Sequence, residues 1–176
     1  FWVVFCFPGV AVWSFASRRC WLDKIAVAAL KFSILKSSPG SNVDFDPDTS
    51  LSFEGDSGPY LQYSIVRINS ILDKAADYNM VAELAQDFSD QDLILTRVLA
   101  RYQYILNQSL DELAPQILLH YLLQLAQGFN SYYARNQVLD SNNVTQSQHR
   151  LAIIIAVRNT LVDGLQTLGI AVPDKM

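Results

Sequence analysis

Two aromatic residues and one basic residue stand at helical spacing in the middle of the chain, and they are the strongest candidates for chemistry. Tyr60, Tyr63 and Arg67 follow one another at intervals of three and four residues, which places them on one face of a helix. Gln62 lies off that face. Flat rings and a guanidinium can stack on unpaired bases and contact a phosphate. Alternatively, both tyrosines are half-buried core residues and Arg67 is a solvated charge, and spacing alone favours this second interpretation.

The sequence carries no other pattern that would support catalysis or metal binding. His120 and His149 have no Cys or carboxylate partner at metal-ligand spacing, so we expect each to be structural or exposed. A Gly-rich phosphate loop, a His-Glu-x-x-His motif and a nucleophile elbow do not occur in the sequence. We therefore predict no catalytic residue, no metal ligand and no cofactor in this chain.

The elements that position the tyrosines are predicted to be helices. Apolar residues make up 51% of the 176 residues and charged residues 17%, which is typical of a globular domain with its own core. Apolar stripes at helical spacing predict about five helices, over residues 22–36, 59–76, 90–107, 115–138 and 145–168. Residues 43–58 are predicted to be a connecting loop. With no strand pattern of any length, the predicted fold class is an all-α helical bundle.

Charge and cysteine content limit the class of protein. The net charge of −4 argues against a general nucleic-acid binder, but it allows a structured RNA partner if the basic residues cluster. Cys6 and Cys20 are the only two cysteines and build no disulfide framework, so we expect a reducing, cytoplasmic location.

The first 21 residues differ from the rest of the sequence. Residues 1–17 are almost wholly apolar and are interrupted by Pro8 and Gly9. The run is shorter than the roughly 20 residues of a transmembrane helix, and it lacks the basic start of a signal peptide. Three interpretations stay open: a buried piece of a larger domain, a membrane segment, or sequence foreign to the native protein. The membrane interpretation is the weakest, and we expect no membrane association.

The central stretch SFEGDSGPYLQYSIVRINSIL resembles the Gly-x-x-Gly-Pro-Tyr-x-Gln-Tyr-x-x-x-Arg segment of arginine–tRNA ligases, where their helical DALR-type anticodon-binding domain starts. The matching residues are Gly55, Gly58, Pro59, Tyr60, Gln62, Tyr63 and Arg67. Upstream, IAVAALKFSILKSSPGSNVDFD is similar to the stretch before that segment. Downstream, PQILLHYLLQLAQGFNSYY and the ending Leu168-Gly169-Ile170, Pro173 and Met176 resemble the family's closing helices and tail. The resemblance covers about residues 23–176.

The resemblance implies a class I synthetase that activates arginine with ATP and Mg²⁺ and attaches it to tRNA in the cytoplasm. It divides the chain into the anomalous segment 1–21, the end of the catalytic core with a connecting loop at 22–58, and a helical anticodon-binding domain at 59–176. Carried over by position, it implies that Tyr60, Tyr63, Arg67 and Met176 contact the anticodon loop. With the resemblance, contact with bases becomes the favoured interpretation of the tyrosines.

The resemblance is also incomplete. The family's His-x-Gly-His-type and Lys-Met-Ser-Lys-type catalytic signatures do not occur in these 176 residues, so we expect the chain alone to form no aminoacyl-tRNA. Its expected partners are arginine-specific tRNA and the missing catalytic domain, and we expect a monomer. Two alternatives remain: the helical anticodon-binding domain of another class I synthetase, such as the cysteine or methionine enzyme, or a non-enzymatic helical interaction module.

Overall fold

The computed structural model describes residues 13–43, 45–78, 80–84, 89–140 and 143–173, with side chains from residue 22 onward. These ranges contain helices and no strand, which confirms the predicted all-α class. The helices are α1 (Trp13–Leu35), α2 (Pro47–Ser50), α3 (Gly58–Asp77), α4 (Asp90–Ala100), α5 (Tyr102–Asp111), α6 (Pro115–Arg135) and α7 (Val144–Thr167).

Two predicted boundaries near the start of the chain differ from the structure. Helix α1 begins at Trp13 rather than at residue 22, so part of the anomalous segment 1–21 continues into the first helix. The predicted loop at 43–58 contains the one-turn helix α2. Asp46 caps this helix, because its carboxylate accepts a hydrogen bond from the Asp48 amide at 3.2 Å, and Pro47 occupies the first helical position.

The helix predicted over residues 90–107 is two helices that meet at Arg101. The Arg101 amide donates to the Val98 carbonyl three residues earlier, at 3.2 Å, so the helix tightens there. The same carbonyl accepts a hydrogen bond from the Tyr121 hydroxyl of α6 at 3.1 Å. A side chain that hydrogen-bonds to the backbone within a helix is a recognised cause of a helix break. Helical spacing could not predict this break, because the hydrogen bond depends on the tertiary contact between α6 and α4.

Helix α6 forms the centre of the core, since it packs against α1, α3, α4, α5 and α7. Its apolar stripe is almost completely buried. The residues of this stripe are Leu118, Tyr121, Leu122, Leu125 and Phe129. Burying each side chain of this size stabilises the fold by about 1.5–3 kcal/mol. Because α6 buries several of them, the other helices pack around it.

Helix α3 starts very close to α1. Ser57 caps it by accepting a hydrogen bond from the Tyr60 amide at 3.1 Å. A Cβ atom at Gly58 would lie 2.5 Å from the carbonyl oxygen of Ala28 in α1, closer than any non-bonded contact allows. Glycine at this position therefore lets the first turn of α3 pack directly on the α1 backbone.

Helix α7 ends as the glycine at residue 169 predicts. Gly169 has φ +68, and its amide donates to the Gln166 carbonyl at 2.9 Å while the Ile170 amide donates to the Leu165 carbonyl at 2.8 Å. This pair of bonds is the Schellman arrangement, which reverses the chain direction at a helix end. Residues 170–173 consequently turn back along the bundle. In the described part of the chain, no helix has the length and apolar character needed to cross a membrane.

Candidate nucleic-acid interface

The three residues singled out on α3 do share one face, and they differ in exposure. Tyr60 and Arg67 are half-buried, whereas the Tyr63 side chain is 42% exposed. Gln62 points the other way and is fully buried. This face is therefore partly buried and partly exposed. Its exposure alone does not decide between contact with bases and a role in the core.

Asn130 of α6 connects Tyr60 with Arg67. Its side-chain amide donates to the Tyr60 hydroxyl at 2.9 Å and to the Ser64 hydroxyl at 3.1 Å. Its carbonyl oxygen accepts a hydrogen bond from the Arg67 guanidinium at 3.3 Å. Sequence reasoning missed Asn130, because nothing in the spacing of α6 relates it to α3. Its effect is to fix the orientation of both α3 side chains.

The Arg67 guanidinium also lies over an aromatic ring. Its central carbon is 4.6 Å from the centroid of the Tyr133 ring on α6, within the distance of a cation–π contact. The Tyr133 ring in turn lies 6.1 Å from the ring of Phe129, one helical turn earlier. A flat cation is thus held against a half-buried tyrosine whose own position is set by the core.

Tyr63 is the most exposed aromatic residue of this face. Its ring meets the ring of Phe53 edge-on, with 6.3 Å between the centroids, and the Phe53 side chain is itself 48% exposed. Aromatic pairs prefer such edge-to-face contact, and the exposure of Tyr63 leaves part of its ring open to solvent. The pair forms an apolar, aromatic end to the surface that Tyr60, Arg67 and Tyr133 continue.

A cleft of about 450 Å³ adjoins the other end of this surface, next to Tyr133. It lies between the ends of α3 and α6 and is lined by Ile71, Lys74 and the run 133–139. Lys74 and Arg135 bring two exposed cations to it. Arg150 of α7 holds its rim by donating to the Gln137 carbonyl at 2.6 Å. Basic residues are therefore clustered on this side of a chain that is acidic overall.

The two histidines lie apart from this surface. His120 is exposed, while His149 is buried with its Nε2 3.9 Å from an Asp92 carboxylate oxygen. Burial acts to raise the pKa of Asp92, but hydrogen bonds from Ser89 and Tyr132 outweigh it and hold that pKa below its ordinary value. Asp92 also forms the capping box of α4 with Ser89. This cluster joins α4, α6 and α7 and has a structural role.

Two further predictions concern metals and the chain terminus. Among the described side chains, no group of three or more His, Cys, Asp or Glu residues lies close enough to hold a metal ion. Met176 was predicted to contact RNA, and it lies outside the described residues.

The sequence and the fold both match known proteins. The family described as the DALR anticodon binding domain matches residues 61–176, and the chain belongs to this family. Within it, the chain matches arginine–tRNA ligases, which confirms the resemblance noted in the sequence. The arginine–tRNA ligase of Methanoregula boonei is 37% identical over 155 residues, covering 88% of this chain and 27% of that protein. The Streptococcus thermophilus enzyme is 37% identical over 153 residues, with 86% and 27% covered.

A solved structure shows the same arrangement of helices. Arginyl-tRNA synthetase of Thermus thermophilus superposes with a TM-score of 0.77 at 28% identity, over 93% of this chain and 31% of that one. The chain spans about a quarter of the length of the curated relatives it matches: it covers 27% of each of the two ligases named above. Within the shared stretch, residues 61–176 match the DALR anticodon binding domain.

Proposed function

We propose that this chain is the anticodon-reading part of an arginine–tRNA ligase, and that it contacts unpaired anticodon-loop bases through Tyr60, Tyr63 and Arg67. The carrying observation is the contact of Arg67 with Tyr133 and Asn130, which joins the candidate face of α3 to α6 in one half-exposed surface. Met176, three residues beyond the described tail, belongs to the same proposed interface.

The chemistry of this surface suits unpaired RNA. Bases that are splayed out of a loop need flat surfaces to stack on, and each such contact is worth about 1–3 kcal/mol. Tyr63 offers an exposed ring, and Arg67 offers a planar cation whose orientation is fixed on both sides. Lys74 and Arg135 at the neighbouring cleft supply positive charge for the phosphates that connect the bases. Stacking and charge are thus arranged along one line from Phe53 to the cleft.

The remaining activity belongs to the rest of the proposed enzyme. The longer relatives are named as arginine–tRNA ligases, and we place arginine activation, with ATP and Mg²⁺, in a catalytic domain outside this chain. Helix α1 supports this arrangement, because Val27, Leu30 and Ile34 are 46–50% exposed on the side opposite its buried face. A helix that is apolar on both sides belongs between two layers. The proposal includes arginine-specific tRNA as partner, a monomeric state and a cytoplasmic location.

The direct test is binding of a fluorescently labelled arginine tRNA transcript to the 176-residue chain. Tyr63→Ala is expected to weaken binding about tenfold, the loss of one stacking contact. Tyr104→Ala is the matched control, since Tyr104 is 66% exposed on α5, away from the proposed surface. A transcript with an altered anticodon should bind the unmodified chain about as weakly as the original transcript binds the Tyr63 variant. Equal binding of the unmodified chain and the Tyr63 variant to both transcripts would remove Tyr63 from the interface.

A further inference from the structure

Gln62 is a fully buried polar residue that the proposed interface does not use. Its side-chain nitrogen donates two hydrogen bonds, to the Lys24 carbonyl of α1 at 3.2 Å and to the Ala171 carbonyl of the C-terminal tail at 2.6 Å. Among the described residues, its side-chain oxygen has no hydrogen-bond partner. Because a buried polar atom without a partner costs free energy, a glutamine at this position is an expensive choice for simple core filling.

The tail that Gln62 holds is fixed by core packing and by few side-chain hydrogen bonds. It leaves α7 at Gly169, whose carbonyl accepts a hydrogen bond from the Lys31 side chain of α1. Ile170 and Pro173 are buried and Val172 packs against the core, but Ala171 is exposed. Tail residues 170–173 belong to no helix. In the described residues, Gln62 is the side chain that hydrogen-bonds a carbonyl within this tail.

Gln62 also lies close, along the axis of α3, to the residues of the proposed interface. It stands between Tyr60 and Tyr63 in sequence, so the residue that binds the tail is on the same helical turn as the proposed base contacts. The terminal Met176 is three residues beyond Pro173, which a fully extended chain spans in about 10 Å. Fixing residue 171 therefore limits where the end of the chain can reach.

We infer that Gln62 is a positioning residue that anchors the C-terminal tail, and that it contributes to RNA affinity through the tail without touching RNA. The inference rests on the proposed function in its RNA step. The anchoring step stands on the hydrogen bonds alone.

The substitution that isolates this role is Gln62→Met. Methionine is unbranched and of similar length, and it removes both donors together with the unpartnered oxygen. The substitution leaves the carbonyls of Lys24 and Ala171 without this donor, so a modest loss of global stability is expected. The distinguishing result is faster hydrogen exchange, beyond that global loss, at the amide of Ile170, which donates to the Leu165 carbonyl. Ser147→Ala is the control, because Ser147 is an equally buried hydrogen-bonded residue at the opposite end of α7.

Measurements of tRNA binding distinguish whether Gln62 anchors the tail or only fills space in the core. Gln62→Met should weaken binding of the arginine tRNA transcript about tenfold in the full chain. In a chain that lacks residues 174–176, the same substitution should have little further effect, because the tail no longer carries its contact. An equal loss in both chains would overturn the inference. If the unmodified chain binds no tRNA, the proposed function fails, and hydrogen exchange at the Ile170 amide alone decides whether Gln62 anchors the tail.

Discussion

Arg67 of α3 lies over the Tyr133 ring of α6, with 4.6 Å between the guanidinium carbon and the ring centroid. The two residues are 66 positions apart in the sequence, and only the packing of α3 on α6 brings them together. Neither residue is fully buried or fully exposed. The contact therefore joins an aromatic ring and a positive charge in one half-exposed surface.

The first prediction concerns the shape of the cation at position 67. Arg67→Lys keeps the charge but loses the planar group that lies on Tyr133, because an ammonium is a compact point charge. We expect Arg67→Met to weaken tRNA binding about tenfold or more and Arg67→Lys to recover only part of that loss. Fluorescence anisotropy at two salt concentrations measures both. If the lysine variant bound like the unmodified chain, charge alone would account for the role of Arg67.

The second prediction concerns Asn130, which holds Tyr60 and Arg67 in place. Asn130→Leu removes the two hydrogen bonds donated to Tyr60 and Ser64 together with the acceptor for Arg67. We expect a loss of about 1–2 kcal/mol in the free energy of unfolding, measured by urea denaturation, and weaker tRNA binding. Arg158→Met offers a comparison, since Arg158 donates to an asparagine side chain, Asn69, at 2.7 Å elsewhere on the bundle. Unchanged RNA affinity in the Asn130 variant would show that Tyr60 needs no fixed orientation.

The third prediction compares two glycines inside helices. At Gly58 an added Cβ would lie 2.5 Å from the Ala28 carbonyl oxygen, whereas at Gly128 it would lie 3.6 Å from a Leu95 methyl carbon, an ordinary contact. Gly58→Ala should destabilise the fold by about 1–3 kcal/mol because α3 must move away from α1. Gly128→Ala should stabilise α6 by about 0.5–1 kcal/mol. Thermal unfolding of both variants tests this, and an equal effect of the two substitutions would contradict the close approach of α3 to α1.

The fourth prediction concerns pH. Hydrogen bonds from Ser89 and from the Tyr132 hydroxyl, the latter at 2.5 Å, hold the pKa of Asp92 below its ordinary value despite burial. A carboxyl whose pKa is lower in the folded state stabilises the fold above its unfolded pKa of about 3.9, and this contribution is lost as the pH falls through the folded value. The stability difference between the unmodified chain and Asp92→Asn should therefore be constant near neutral pH and shrink below about pH 4.

Urea denaturation at a series of pH values follows this difference. Asp46→Asn is a useful comparison, because hydrogen bonds from the Thr49 hydroxyl and the Asp48 amide also lower the pKa of Asp46, but at an exposed helix cap. A difference for Asp92→Asn that did not depend on pH between 2 and 7 would rule out the ionised carboxylate as the stabilising form.

Sequence reasoning predicted the helices and about half of the residues of the candidate surface. The stripe of α6 and the face of α3 could be predicted because helical periodicity alone decides which residues of one helix lie together, as for Tyr60 and Arg67. Asn130 and Tyr133 could not, since their importance depends on the register of α6 against α3. The break at Arg101 was missed for the same reason: the Tyr121 hydroxyl that accompanies it belongs to another helix.

Helix α1 has two apolar sides, and this has an evolutionary consequence. Ile25, Ala28 and Phe32 face the bundle, so over time their substitutions should track changes in α3. Val27, Leu30 and Ile34 face outward and should instead covary with residues encoded elsewhere in the gene of a full-length ligase. Residues on the two sides of α1 are thus expected to covary with different parts of the enzyme. Recombination that exchanged this domain between enzymes would have to join the two genes before the start of α1.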